Sequence, residues 1–332
     1  MDRVQLSRES SETRKGATCW LGFMCFGFSL VSAAAESPIS LPGDRAFPES
    51  ITALRDGTLF VGSVVTGGVY RIDPRTHTAT TWIQAGTYGT RSITGVLADE
   101  RAQTLWVCSN DLSGIGVAGP SAVPGSALKG FDLKSGVGKI SAALPGDKTL
   151  CNDIAIGPDG SAYVTNSAAP EILRLSPKGK QLEVWASDPS VQPPEGGSGL
   201  DGIAFGADGN LYVDTYTPGD LYRVEVRSAK AGKFTKLKVP RPLVLTDAIR
   251  VISGNTFLLI EGGGRLDRMT VDGEAVSIDI LKGGFSVPTG VAIVGHTAWV
   301  SEGQLSYLFD PAKKGQSPNL PFRIYPVEIP AH

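Results

Sequence analysis

The stretch Asn152-Asp153-Ile154-Ala155-Ile156-Gly157-Pro158-Asp159-Gly160-Ser161-Ala162-Tyr163-Val164 returns as Leu200-Asp201-Gly202-Ile203-Ala204-Phe205-Gly206-Ala207-Asp208-Gly209-Asn210-Leu211-Tyr212-Val213. Looser copies run from Glu49 to Val61, Gly95 to Val107, Ala248 to Leu259 and Gly290 to Val300. Each copy reads as a short apolar strand, a tight turn and a second strand carrying one large apolar residue. Those residues are Phe60, Trp106, Tyr163, Tyr212, Leu258 and Trp299, and subtracting successive positions gives spacings of 46, 57, 49, 46 and 41. Strand-built repeats of about 40–50 residues mark β-propeller blades. The expected fold is therefore all-β, a six-bladed β-propeller of four-stranded antiparallel blades, with the large strand-two residues in its core.

Two further strand-like runs follow most copies. They are Val69–Ile72 with Thr80–Ile83, Ile172–Leu175 with Leu182–Trp185, Leu221–Val224 with Phe234–Leu237, and Leu266–Val271 with Val276–Leu281. Blade six offers Leu305–Phe309 and Phe322–Val327, so it is expected either to own four strands or to receive an outer strand from Glu36–Pro48. Asp-Gly and Pro-Asp-Gly at the turns supply the backbone angles that hairpins need. The spacing of 57 marks an insertion at Leu112–Gly125, and a second long loop, Ser187–Gly199, precedes the copy at Leu200. Long loops in compact folds are often functional.

The first 35 residues read as a secretory signal peptide. Arg14 and Lys15 precede an apolar run from Cys19 to Val31, and Ala33-Ala34-Ala35 forms a small-residue cleavage site. The run is short for a membrane span. Lipidation at Cys25 is the rival reading, disfavoured by the bulk of Phe23-Met24. Residues 36–332 then form a single domain, periplasmic or secreted, with no membrane partner once the leader is removed. At about 300 residues such a domain buries roughly 75% of its unfolded surface. It carries 27 Lys/Arg and 30 Asp/Glu with no basic stripe, which argues against a nucleic-acid partner; the expected partner is a small-molecule substrate. Cys108 and Cys151 remain after the leader. Export to an oxidising compartment allows them a disulfide. The alternative is two buried thiols.

A meander brings the residues just before each first strand, and those just after each second strand, to one mouth of the channel. The first set is Glu49, Thr94, Asn152, Asp201, Asp247 and Thr289; the second is Ser63, Ser109-Asn110, Thr165-Asn166, Asp214-Thr215, Glu261 and Ser301-Glu302. Asn166, Asp214, Glu261 and Glu302 are the candidates for contacting a substrate. Three carboxylates and an amide without cationic partners would repel one another, and a hard divalent cation such as Ca²⁺, which takes oxygen ligands, would resolve this.

These residues carry a resemblance. The chain is similar to the family of senescence marker protein (regucalcin) and the gluconolactonases over nearly all of residues 36–332. It is most similar at Phe47-Pro48-Glu49, Cys151-Asn152-Asp153-Ile154-Ala155 and Leu200-Asp201-Gly202-Ile203-Ala204-Phe205. The ending Pro288–Val291 and Ala298–Gln304 resembles an exported bacterial branch. The resemblance implies a six-bladed propeller with one divalent metal, usually calcium, at the channel mouth. It implies Glu49, Asn152, Asp201 and Asp247 as ligands and Asp247 also as general base. The chain departs from the family at Asp201, where Asn is usual, and at Leu150, where the sugar-lactonases carry Arg.

The chemistry implied is metal-assisted hydrolysis of a lactone or related ester. Rival readings are a non-catalytic small-molecule-binding propeller and a metal-independent, strictosidine-synthase-like enzyme using a channel glutamate such as Glu261 or Glu302. Gly114-Ile115-Gly116-Val117-Ala118-Gly119 matches a dinucleotide fingerprint only in letters, for no helix follows it. His77, His296 and His332 sit in turn or terminal contexts, which leaves no serine triad and no Cys₂His₂ metal site.

Overall fold

Asp-Gly turns close the first hairpins of several blades. At Asp56-Gly57, Asp159-Gly160 and Asp208-Gly209 the carboxylate accepts the N–H of Thr58, Ser161 or Asn210, and the glycine takes a left-handed φ of 88°, 78° or 77°. Only glycine adopts that angle freely. In the computed structural model, which describes residues 36–331, these turns help build six antiparallel four-stranded sheets. Residues 1–35 and His332 lie outside the described residues, and so do the signal-peptide and Cys25 readings.

Blade one comprises Pro48–Ala53, Leu59–Ser63, Val69–Ile72 and Ala79–Ile83. Blade two comprises Ser92–Asp99, Thr104–Asn110, Ser126–Asp132 and Gly138–Ala143. Blades three, four and five begin with Cys151–Ile156, Leu200–Phe205 and Thr246–Ser253. Blade six contributes Pro288–Val294, Thr297–Glu302 and Arg323–Glu328, and its fourth strand is Ile39–Ser40 from the start of the fold. The N-terminal alternative is thus the one realised. Leu41 donates its N–H to Phe322 O, and the Phe47 and Phe322 rings lie 4.7 Å apart over this closure.

Leu305–Phe309, expected as a strand, is not one. Ser306–Phe309 is a single helical turn, followed at once by a short turn that Asp310 caps. The apolar run is too short for its periodicity to separate strand from helix. Among the described residues no helix is long and apolar enough to cross a membrane.

The first strands of all six blades pack side by side around the axis. Phe60, Tyr163, Tyr212, Leu258 and Trp299 fill the spaces between sheets and are nearly inaccessible. Hydroxyls join successive blades near the axis: Thr94 Oγ1 donates to Cys151 O, Thr165 Oγ1 to Asp201 O and Thr289 Oγ1 to Pro48 O. Gly95 and Gly202 lie so close to the carbonyls of Asn152 and Asp247 that a Cβ would strike the neighbouring blade.

Cys108, on the second strand of blade two, is bonded to Cys151, on the first strand of blade three, across a sequence separation of 43. Both are fully buried. Closing a loop of this size lowers the entropy of the unfolded chain. Cys108→Ala with Cys151→Ala should therefore cost about 4 kcal/mol in urea unfolding.

Candidate functional site

One extra residue bulges each first strand against its second. The bulges fall between Pro48 and Ile51, Ile93 and Gly95, Cys151 and Ile154, Leu200 and Ile203, Thr246 and Ile249, and Pro288 and Gly290. A bulge bends the strand and re-aims a side chain. The residues in it are Glu49, Thr94, Asn152, Asp201, Asp247 and Thr289. They lie inside the strands rather than just before them. The first five floor a cavity of ≈ 450 Å³ at the mouth. Thr289 spends its hydroxyl on Pro48 O.

The residue just before the first strand builds the wall. Leu150, Leu245 and Val287 occupy that position in blades three, five and six, and all three line the cavity. Leu245 and Val287 hold left-handed φ angles of 55° and 51°. This is a costly conformation for a β-branched residue such as Val287 and marks a constrained site. Both long loops reach the cavity, the insertion through Leu112 and Ile115 and the second through Ser198. Arg91 anchors the insertion by pairing with Asp111 at 2.7 Å and donating to the carbonyls of Ala118 and Val123. The tripled-glycine stretch lies within this insertion and ends in no helix.

The floor does have a cationic partner, which sequence reasoning missed. Arg250, three residues after Asp247, is largely withdrawn from solvent, its side chain 13% exposed, and grips Asp153 with two hydrogen bonds, of 2.6 and 2.9 Å. Asp153 Oδ2 also accepts the N–H of Ile203. One guanidinium, bound to Asp153, thus stands among five buried carboxylates, Glu49, Asp153, Asp201, Asp214 and Asp247. Burial, then the charges of Asp201 and Asp153, push Glu49 well up, with Arg250 opposing. Burial, then Asp247, Asp214 and Asp153, raise Asp201, against a hydrogen bond from Asn152. Burial, then Glu49, Asp214 and Asp153, raise Asp247, again against Arg250. Tyr216, also missed, lines the cavity; burial and the charges of Asp247, Asp201 and Glu49 raise its phenol and keep it neutral.

An all-oxygen donor set with surplus negative charge has the chemistry of a hard-cation site, and a bound cation would reverse these upward shifts. Among the described residues, however, no three His, Cys, Asp or Glu side chains are grouped as a ready-made cation cage.

The four proposed substrate contacts are placed elsewhere and do not line the cavity. Asn166 Oδ1 accepts the N–H of Leu150 and its amide donates to Lys148 O, so it tethers the segment entering blade three. Glu302 accepts the N–H of Ser286 and Glu261 that of Val244, doing the same for blades six and five. Asp214 accepts the N–H of Gly202, and its other oxygen is buried without a partner. The ends of the second strands do reach the right face, but their side chains are used by the loops beside them. His77 packs edge-on against Trp299 in a turn, and His296 also lies in a turn.

No protein-family model matches this chain, and no curated protein matches it. Solved structures do resemble it. The major Malassezia sympodialis allergen Mala s 1 aligns with a TM-score of 0.68 at 18% identity, over 89% of this chain and 97% of its own. PQQ-bound aldose sugar dehydrogenase from Streptomyces coelicolor aligns at 0.61 and 15%, over 89% and 97%. A gluconolactonase from Xanthomonas campestris aligns at 0.60 and 14%, over 90% and 99%. What they share is the propeller. An allergen, a dehydrogenase and a lactonase on one scaffold show that the chemistry must be read from the site.

Arg250→Met would leave Asp153 buried and unpaired. It should destabilise the protein by about 3–5 kcal/mol, and adding Asp153→Leu should recover most of that loss in chemical denaturation. A second test uses Asp267, buried beside Glu261 and Arg241 under the loop that leads to Leu245. Burial, then the hydrogen bond and charge of Glu261, push its carboxyl up to about 7. The folded state therefore holds a proton that the unfolded chain releases near pH 4. That contribution is complete below pH 4 and is lost as pH rises towards 7. Asp267→Asn should flatten the thermal midpoint between pH 4 and 7 relative to the parent.

Proposed function

We propose that this chain is an exported hydrolase of lactones or related esters, of the gluconolactonase-like kind, acting at the mouth of the propeller. The observation that carries the reading is a floor of carboxylates and an amide inside an apolar-walled cavity. Such a pocket, with few polar groups converging at its base, is the usual form of a small-molecule site. The buried Cys108–Cys151 bond supports an oxidising, extracytoplasmic setting.

Glu49, Asn152, Asp201 and Asp247 would hold a divalent cation, calcium being the one that suits oxygen donors. When bound, it would supply polarisation of the ester carbonyl. Asp247 takes a proton from the attacking water as its oxygen bonds to the carbonyl carbon. The neutral Tyr216 hydroxyl faces these carboxylates and donates to the charge developing on the carbonyl oxygen. The ring C–O bond then breaks, and the departing alkoxide recovers the proton from Asp247. The product is a hydroxy acid, which releases the second proton of the water to solvent and leaves as the hydroxy-carboxylate.

A non-catalytic binding propeller is the second reading, favoured by the lack of a grouped cation cage among the described residues. The strictosidine-synthase-like reading loses its motivation, because Glu261 and Glu302 are engaged by the backbone outside the cavity.

Chelator-stripped protein is assayed on γ- and δ-lactones with and without added Ca²⁺. Calcium-dependent turnover is expected, together with a calcium-induced rise in thermal midpoint. Asp247→Ala should lower kcat/KM by about 10²–10⁴-fold with an unchanged far-UV spectrum. Absence of turnover on every lactone under both conditions would leave the binding reading in its place.

A further inference from the structure

The wall and the floor of the cavity come from two different positions of the same repeat. The floor residue is the second residue of the first strand in blades three and five, Asn152 and Asp247; the wall residue lies two positions earlier, Leu150 and Leu245. Blade six adds Val287 to the wall in the same way. The backbone accepts left-handed angles at Leu245 and Val287, and both side chains line the mouth. Ile115 and Phe309 complete the collar while remaining 61% and 39% exposed, so two large apolar side chains sit open to water at its rim. Among the described residues lining the cavity, none is Lys, Arg or His, and four are acidic.

This arrangement restricts what can enter. A charged substituent lying in the collar would find no Lys, Arg or His to receive an anion, and Asp310 would oppose one. A polyhydroxylated ring would press hydroxyls against Leu150, Leu245 and Val287, where they lose water and gain no partner. An alkyl or aryl group would instead cover the exposed Ile115 and Phe309 and gain by leaving water.

We propose that the site selects uncharged substrates bearing an aliphatic or aromatic substituent, and that Leu112, Ile115, Leu150, Leu245, Val287 and Phe309 are its specificity collar. The inference rests on the hydrolase reading of the same site. The substituent lies in the collar, and the cyclic ester reaches the floor.

The test separates binding from turnover by using alkyl-substituted cyclopentanones, which hold a ring carbonyl but cannot be hydrolysed. Titration calorimetry across ethyl, butyl and hexyl members should show affinity rising about fourfold per methylene until the collar is filled. Leu150→Arg should flatten the series. Phe309→Ser, at the exposed rim where folding is least at risk, should weaken the hexyl member more than the ethyl one. A flat series in the parent, or tighter binding of gluconolactone than of the hexyl ketone, overturns the collar even if sugar lactones are hydrolysed. A steep ketone series with no turnover of the matching alkyl lactones upholds the collar and removes the hydrolase.

Discussion

Five buried carboxylates around the axis with one guanidinium among them set the terms for the rest of the structure. Left alone, like charges in a poorly solvated interior either take up protons or recruit a cation. Here Arg250 binds Asp153 in a two-bonded fork, and Asp153 reaches on to the backbone of Ile203. One ion pair therefore links the inner strands of blades three, four and five. It leaves Glu49, Asp201 and Asp247 facing the cavity, their charge only partly offset. The crowding of like charge that this pair leaves is what pushes the carboxyls of Glu49, Asp201 and Asp247 up.

The bulges make that arrangement possible. Without the extra residue, alternation along each first strand would carry its side chains to the two faces of the sheet in simple sequence. With it, the first strands of blades one to five each turn one polar residue to the mouth and then resume their apolar rhythm into the core. Close blade-to-blade approach is the companion requirement. Gly95 and Gly202 meet it by offering no Cβ to the carbonyls of Asn152 and Asp247. The residues that floor the site are thus also the residues whose backbones join the blades.

The blade period was legible because every copy repeats apolar strand, turn and large apolar residue. The floor was legible because it occupies one register in the repeat. Leu305–Phe309 misled as a strand because five apolar-rich residues carry no usable period, and the true third strand begins only at Arg323. Asn166, Glu261 and Glu302 misled because register gives the end of the fold a residue reaches, not the partner its side chain finds. The Asp153–Arg250 pair spans 97 residues and two blades, so nothing local announces it. Tyr216 lay one residue beyond the set read as facing the mouth. In each case the missing information was lateral, between neighbouring blades or loops, whereas the repeat informs mainly along the strand.

An allergen, a dehydrogenase and a lactonase share this scaffold at identities of 18% or less, and in this chain the cavity is lined largely apart from the sheet-to-sheet packing. The wall position just before a strand and the floor position within its bulge touch the cavity on one side and backbone on the other. The side chains of Leu245 and Val287 stand outside the hydrophobic clusters between sheets, which depend on residues such as Phe60, Tyr163 and Tyr212, whereas Leu150 also packs against one of them. A cationic residue in place of Leu150 would alter the chemistry of the mouth, while the hydrogen bond from Ser167 N–H to Leu150 O, which uses backbone only, would still hold the strand entry. Leu245 and Val287 show the limit of this freedom. Their left-handed backbones tie the loops to the strands through Gly262 and Gly303, so the side chain can vary only among residues for which that strain is tolerable. The wall can therefore change most freely where a side chain meets only the cavity, within bounds that the backbone sets.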